Sequence, residues 1–382
     1  MQNKFPLKLF VLCIFTLLQV ITFAQDSSHI RVSLLTCTPG EELYSTFGHS
    51  AIRITDSSSV TDIVFNYGTF DFDDPNFYTK FVKGKLLYYV STENFEDFKY
   101  LYQATNRGMT EQVLNLSAAE KIEIENALYN NIKEENKFYK YDFFLDNCTT
   151  RLRDIIVKYK SSHPVFNAVM PAGTRFRQAI HEYLDKNNKH WSKLGIDILL
   201  GAPTDAVMTT AQSQFLPDNL MKSLDNTNAG NQLVVSSEKL YDIDQTSNIT
   251  PIFTPITVFS LLLIFILLLS VSTNKRVLMF MHGFDGLLFF LSGALGFILI
   301  FMMTGTDHAM CKSNYNLLWA LPTNALFAFF LNSYKTWVKL GFLLTAIFLI
   351  LVLITWFFLP QQMNNGLIPI VLLLIYRSIV KR

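Results

Sequence analysis

The chain has little cysteine and little charge. Only four of its 382 residues are cysteine, and no two form a CxxC pair. Such a spacing would mark a zinc or dithiol framework, so no metal and no cofactor are expected. Lys and Arg number 32 against 31 Asp and Glu, a net charge of +1. A nucleic-acid partner calls for a basic excess, and none is present. Charged residues make up 16% of the chain and hydrophobic ones 50%, so the placement of the apolar residues decides the organisation. There is no internal repeat and no low-complexity segment.

At the N-terminus Lys4 and Lys8 precede an apolar run through Val20, followed by Thr22-Phe23-Ala24. This is the charged, apolar, small-residue order of a secretory signal, with cleavage expected after Ala24. The sequence around Cys13 does not form a lipoprotein cleavage pattern. In the second half, runs near 251–272, 284–304, 317–332, 337–359 and 366–378 are strongly apolar. With the N-terminal domain outside, Lys275 and Arg276, Lys335 and Lys339, and Arg377, Lys381 and Arg382 all fall inside. That positive-inside asymmetry predicts about five spans and a cytoplasmic C-terminus. The expected organisation is a signal at 1–24, an exported catalytic domain at 25–222, a polar linker at 223–250 with a short strand at Gln232 to Ser236 embedded in it, and a helical membrane domain at 251–380. The exported part is roughly 200 residues, enough for one core. Strands clustered between flanking helices predict an α+β fold for it.

Two segments about a hundred residues apart carry the chemistry: FGHSAIRI around His49 and DNCTTRLRD around Cys148. Leu152, Ile155, Ile156 and Tyr159 follow Cys148 at helical spacing, with Asp146 or Asn147 as N-cap. A cysteine at a helix start meets the positive end of the helix dipole, which favours the thiolate. His49 opens an alternating stretch that predicts a strand, so a strand histidine facing a helix-start cysteine would be a thiol nucleophile with its base. The plainer alternative makes Cys148 a small core residue and His49 a satisfied polar one. Without Cys13, three cysteines remain in an oxidising compartment, and an odd number leaves at least one thiol unpaired.

Other polar residues have two readings each. Arg53 lies on the His49 strand and Arg151 on the Cys148 helix, where each is a candidate contact for an anionic substrate group. For Arg151 an ion pair with a neighbouring carboxylate is the rival reading. Asp307 and His308 fall in an outer loop between apolar runs, placed either to orient a lipid or simply solvated. Asp71, Asp73 and Asp74 form an acidic loop, and His181 and His190 are expected to be structural.

The segments SLLTCTPGEELYSTFGHSAIRI, VFNYGTFDFDDPNFYTKFVKGKL and YKYDFFLDNCTTRLRDII together resemble the periplasmic domain of the Lnb family. These are lipoprotein N-acyltransferases with an exported domain fused to a C-terminal membrane bundle. The likeness runs on through GTRFRQ, GIDILLGAPTD and FLPDNL into TDHAMCKSNYNLLWALP. A weaker resemblance, of arrangement only, is to the permuted papain-like fold of lecithin–retinol acyltransferases. The resemblance implies a bacterial inner-membrane enzyme with Cys148 as nucleophile and His49 as base, and it assigns no third member. It also implies a phospholipid acyl donor and a diacylglyceryl lipoprotein acceptor. Two rivals belong to other classes: a cell-envelope cysteine peptidase or amidase, which one anchor would serve, and a non-enzymatic receptor or transporter, which would leave the paired His and Cys segments unexplained.

Overall fold

The computed structural model describes residues 28–227, 232–242 and 252–382, so the signal expected at 1–24 lies outside the described residues. Seven strands form one sheet of order β6-β4-β3-β2-β1-β5-β7. They are β1 (Ile30–Cys37), β2 (His49–Asp56), β3 (Thr61–Thr69), β4 (Leu87–Asn94), β5 (Met109–Leu114), β6 (Phe138–Lys140) and β7 (Val234–Tyr241). Every neighbouring pair is antiparallel, so this is a mixed α and β fold built on an antiparallel sheet. β2 and β3 are joined by a tight turn in which Asp56 Oδ1 accepts from the Ser58 N–H at 2.8 Å, the local bond that makes Asp a turn former. The register of β3 against β4 slips between Tyr67 and Thr69. Gly68 sits in that slip at φ +93°, a conformation only glycine adopts without strain.

Helices cover both faces of the sheet. The helices of six residues or more before the membrane part are α1 (Phe77–Val82), α2 (Phe95–Ala104), α3 (Ala118–Asn131), α4 (Cys148–Tyr159), α5 (Phe176–Lys186), α6 (His190–Leu199) and α7 (Pro217–Asp225). Period-two alternation assigns the two faces. Val32, Leu34, Ile52, Ile54, Phe65 and Tyr67 pack with Ile124, Leu128, Leu152, Ile156, Leu220 and Leu224 from α3, α4 and α7. Leu35, Cys37, Ala51 and Val64 pack on the opposite side with Phe95, Phe98 and Tyr102 of α2. Ser117 and Glu120 form a capping box at the start of α3, with Glu120 Oε2 accepting the Ser117 N–H at 2.8 Å.

Two regions add detail to the sequence reading. The stretch 223–250, read as a linker with a short strand at Gln232 to Ser236, supplies β7, a longer strand that pairs with β5 along most of its length. Its polar side chains face solvent on an edge strand, and such a strand lacks the apolar pattern by which strands are recognised. In the second half only Lys275–Thr304, with 30 residues, and Thr336–Thr355, with 20, are long and apolar enough among the described residues to cross a membrane by length and composition. These helices are α9 and α11, flanked by shorter ones: α8 (Pro255–Leu269), α10 (Thr323–Phe327) and α12 (Ile368–Lys381). Prolines account for the shortening. Pro255 and Pro369 sit in the first turns of α8 and α12, and Pro322 breaks the third apolar run before α10.

The two halves meet through backbone groups left open by a helix end. The last carbonyls of α6 have no partner within the helix. Asn314 Nδ2 donates to Ile198 O at 2.7 Å and Leu199 O at 3.0 Å. Asn316 Nδ2 donates to Asp197 O at 2.9 Å, and Gln361 Nε2 to Leu200 O at 3.0 Å. Gly201 then passes so close to this loop that a Cβ would lie 1.9 Å from Lys312 O. Behind the junction Arg177 is fully buried and binds Asp197 at 2.8 Å and Asp205 at 3.1 Å.

Candidate active site

β2 and α4 bring the two sequence-predicted residues together. Asn147 is the N-cap of α4: its side chain accepts from the Thr150 N–H at 2.9 Å, and the Thr150 hydroxyl takes the Asn147 N–H at 2.8 Å. The Asn147 amide also donates to Phe143 O and Phe215 O. These bonds fix the turn that aims Cys148 at the end of β2. Thr149 Oγ1 donates to Ser50 Oγ at 3.2 Å, tying the helix start to the strand.

His49 lies beside Cys148, close enough for each to shift the other's titration, and on its far side Nε2 stands 2.6 Å from Asn66 Oδ1. Nε2 is thus occupied, which leaves Nδ1 for the sulfur. Asn66 Nδ2 in turn faces Glu93 Oε1 at 3.4 Å, so the amide oxygen is the atom turned to the imidazole. Asn66 therefore holds the tautomer in which Nδ1 carries the lone pair towards the thiol. Asn66 was not assigned from sequence. The hairpin register that sets Ile52 opposite Phe65 brings Asn66 to a position diagonal to His49, and counting back from the Asp56 turn is the signal that finds it.

Electrostatics favour an ion pair. Burial pushes the Cys148 thiol up, but the His49 charge and hydrogen bond, the Ser50 N–H and the Thr149 hydroxyl outweigh it and bring the pKa down to about 7. For His49 burial pulls the pKa down, and the neighbouring Cys148 charge and the bonds to Cys148 and Asn66 reverse the sign, leaving it raised. The contrast with Cys37 is instructive. It lies opposite His49 in the β1–β2 ladder, yet burial pushes its thiol up to about 12. Cys311 is likewise pushed up to about 11 by burial. All three described cysteines are free, and Cys148 alone is set up as a thiolate.

Backbone donors at the start of α4 stand beside the thiol. The Thr150 and Arg151 N–H groups are taken by Asn147, whereas the Cys148 and Thr149 N–H groups, first in α4, have no acceptor among the described residues. Two free N–H groups beside a nucleophile form an oxyanion site. Gly68 lies beside the Cys148 side chain, where a Cβ would come 3.7 Å from Cys148 Cβ and 3.8 Å from the Tyr141 ring. The buried Tyr139 hydroxyl faces the same gap and has no hydrogen-bond partner among the described residues.

The remaining candidates fall elsewhere. Arg53 is four residues along β2 from His49, its guanidinium on Asp62 at 2.7 Å and Glu111 at 3.0 Å and stacked on Phe95; those bonds occupy it within the fold. Arg151 is paired with Asp146 through two bonds, at 2.7 and 2.8 Å, and lies over the Tyr139 ring. Asp307 binds Lys140 at 2.7 Å, and its N–H donates to Lys83 O. His308 Nε2 is 3.1 Å from Val82 O. Both outer-loop residues therefore clasp the end of α1, away from the sulfur. His181 binds Asp197 at 2.8 Å and His190 faces Asp185 at 3.6 Å. Within the acidic loop, Lys80 neutralises Asp74.

With a Cys–His–Asn constellation in the N-terminal part and apolar helices in the C-terminal part, the family can be stated. Residues 19–180 match the Lnb N-terminal periplasmic domain, and residues 245–382 match the Lnb transmembrane domain. The chain belongs to the Lnb family. It is a membrane protein whose N-terminal part is periplasmic. No curated protein and no solved structure matches it. Within the Lnb periplasmic match lie Cys148, His49 and Asn66, so the constellation is part of the region that defines the family.

Proposed function

We propose that this Lnb protein is a lipoprotein N-acyltransferase that moves an acyl chain from a phospholipid, through a thioester on Cys148, to the α-amine of a diacylated lipoprotein. The observation that carries this reading is the placing of His49, held by Asn66, beside Cys148 at the start of α4, in a domain clasped to a membrane bundle. The Cys148 thiolate attacks the ester carbonyl of the phospholipid, forming the S–C bond. Charge collects on the carbonyl oxygen opposite the Cys148 and Thr149 N–H groups. The C–O bond breaks, the His49 imidazolium gives its Nδ1 proton to the leaving lysophospholipid oxygen, and the thioester remains. In the second half the lipoprotein amine attacks the thioester carbon, His49 takes the amine proton, and the Cys148 thiolate leaves. A thioester suits an amine acceptor because it is aminolysed far more readily than an oxygen ester.

The permuted papain-like reading of the domain and the count of five spans belong to this proposal. The order His then Cys, with the cysteine opening a helix and an asparagine orienting the histidine, supports the first. Basic residues at the ends that would face inside support the second, together with an inner-membrane location and a cytoplasmic C-terminus. Mass spectrometry of lipoprotein N-termini from cells with and without the protein tests the reaction: the third acyl chain is expected only with it. Triacylated lipoproteins at undiminished levels in its absence would refute the reading.

A further inference from the structure

Beyond the thiol site, the loop after β3 carries an exposed aromatic surface that the catalytic reading leaves unused. Phe72, Tyr78 and Phe81 are 66%, 77% and 50% exposed, and Val82 lies beside them at 43%. Exposed rings gathered into one patch, unlike a single exposed ring, mark a surface that something covers. Two lysines, Lys83 and Lys85, follow directly in sequence and are exposed. An apolar cap followed by cations is the pattern of a segment lying in a lipid headgroup region, where aromatic rings sit at the interface and cations meet phosphates.

The position of this surface is set by the membrane half. Counting back from Thr304, the apolar stretch 286–304 of α9 supplies about the 20 residues that a hydrocarbon core requires. Its far end is marked by Asp285, buried against Arg377 at 2.6 Å and Lys381 at 3.1 Å. The near end therefore falls at Thr304, and within the next four residues the chain is bonded to the end of α1. Asp307 N–H donates to Lys83 O at 3.0 Å, and His308 Nε2 reaches Phe81 O at 3.2 Å and Val82 O at 3.1 Å. Gly84 packs on the His308 ring. The exposed rings are thus held level with the outer end of a span whose own Phe297, Ile298 and Phe301 face outwards.

We infer that the segment from Phe70 to Lys85 is a lipid-surface element, seated in the periplasmic leaflet of the bilayer with Phe72, Tyr78 and Phe81 among the acyl chains and Lys83 and Lys85 at the phosphates. Its rings also lead inward. Phe72 and Phe77 meet Phe70 at 4.9 and 5.9 Å, Phe70 meets Tyr88 at 5.3 Å, and Tyr88 stacks on Tyr141 at 4.4 Å. Tyr141 is the ring beside Gly68 and the Cys148 sulfur. This line of rings guides the donor chain from the leaflet to the thiol, and that part alone rests on the acyl-transfer reading.

The test uses the full chain reconstituted in phosphatidylglycerol–phosphatidylethanolamine vesicles. Phe72→Cys, Tyr78→Cys and, as control, Tyr100→Cys are made in a Cys148→Ser background and labelled with a polarity-sensitive fluorophore. Tyr100 is 71% exposed on α2, on the other side of the sheet. Labels at 72 and 78 are expected to be quenched by phospholipids spin-labelled near the headgroup and shielded several-fold from aqueous iodide, with the reverse at 100. Iodide access at 72 and 78 equal to that at 100 would overturn the proposal, as would shielding without spin-label quenching, which means a protein partner. In the unlabelled active chain, Phe72→Ser with Phe81→Ser is expected to lower acyl transfer and leave Cys148 alkylation by iodoacetamide unchanged. Unchanged transfer would remove the guiding role. Lipid quenching in a protein with no acyltransferase activity would retain the surface and refute only the reaction.

Discussion

His49 Nε2 stands 2.6 Å from Asn66 Oδ1, across the hairpin that joins β2 to β3. The bond decides which imidazole nitrogen faces Cys148, and Asn66 does so without touching the reacting atoms. It is a positioning residue. His49→Ala is expected to lose the roughly 10²- to 10⁴-fold supplied by a general base. Asn66→Ala should lose less, and Asn66→Gln should recover part of it. The pH profile separates the role from a folding defect: freeing the ring alters the apparent pKa of the pair, whereas partial unfolding lowers the plateau alone.

Thiol reactivity carries the sign of the electrostatics. With the Cys148 pKa brought down to about 7 from an ordinary 9.0, the thiolate is present above neutral pH and lost as pH falls below it. Alkylation by iodoacetamide should rise through about pH 7 and then level off. In His49→Ala the upward push of burial is less opposed, so the midpoint should move to higher pH. An unchanged midpoint would mean that the helix start and the Ser50 N–H suffice. Cys37 and Cys311, raised by burial, should stay unlabelled throughout.

Gly68→Ala tests the floor of the site. The positive φ imposes about 1–3 kcal/mol of strain on any other residue, and the new methyl would lie 3.7 Å from Cys148 Cβ. A fall in melting temperature with a larger fall in alkylation rate is expected. Equal losses in both would show that the glycine serves the turn alone.

Arg177→Met tests the junction. The substitution leaves Asp197 and Asp205 buried without their cation, which typically costs about 3–5 kcal/mol. The clasp made by Asn314, Asn316 and Gln361 hangs on the same helix end. Thermal unfolding at a lower temperature and faster proteolysis near 200–205 are expected, with native-like values contradicting a shared clasp.

Replacing residues 252–382 by a single unrelated span should abolish acyl transfer, because Asp307 and His308 hold the end of α1 and the asparagine clasp holds α6. Full lipoprotein acylation by such a chimera would reduce the membrane half to an anchor.

The sequence disclosed what local pattern determines. Cys148 was legible because a capping residue and a helical repeat follow it, and His49 because an alternating strand begins there. Arg151 was legible as half of an ion pair, since Asp146 lies one turn before it. Asn66 was not, because its partner is reached only through strand register. The start of β7 was legible as a short strand, but its run to Tyr241 was not, because an edge strand with solvent-facing side chains has little apolar rhythm. The roles of Asp307, His308, Asn314 and Asn316 were hidden because they serve carbonyls more than a hundred residues away, a relation that no spacing encodes.

The central claim is that Cys148 carries the acyl chain. Purified full chain incubated with phospholipid and no lipoprotein acceptor, then digested and analysed by mass spectrometry, tests it directly. The account predicts an acyl group on the Cys148 peptide, released by hydroxylamine, transferred on addition of a diacylated lipopeptide, and absent from Cys148→Ser. An acyl group on Cys37 or Cys311, or transfer that survives Cys148→Ser, would contradict it.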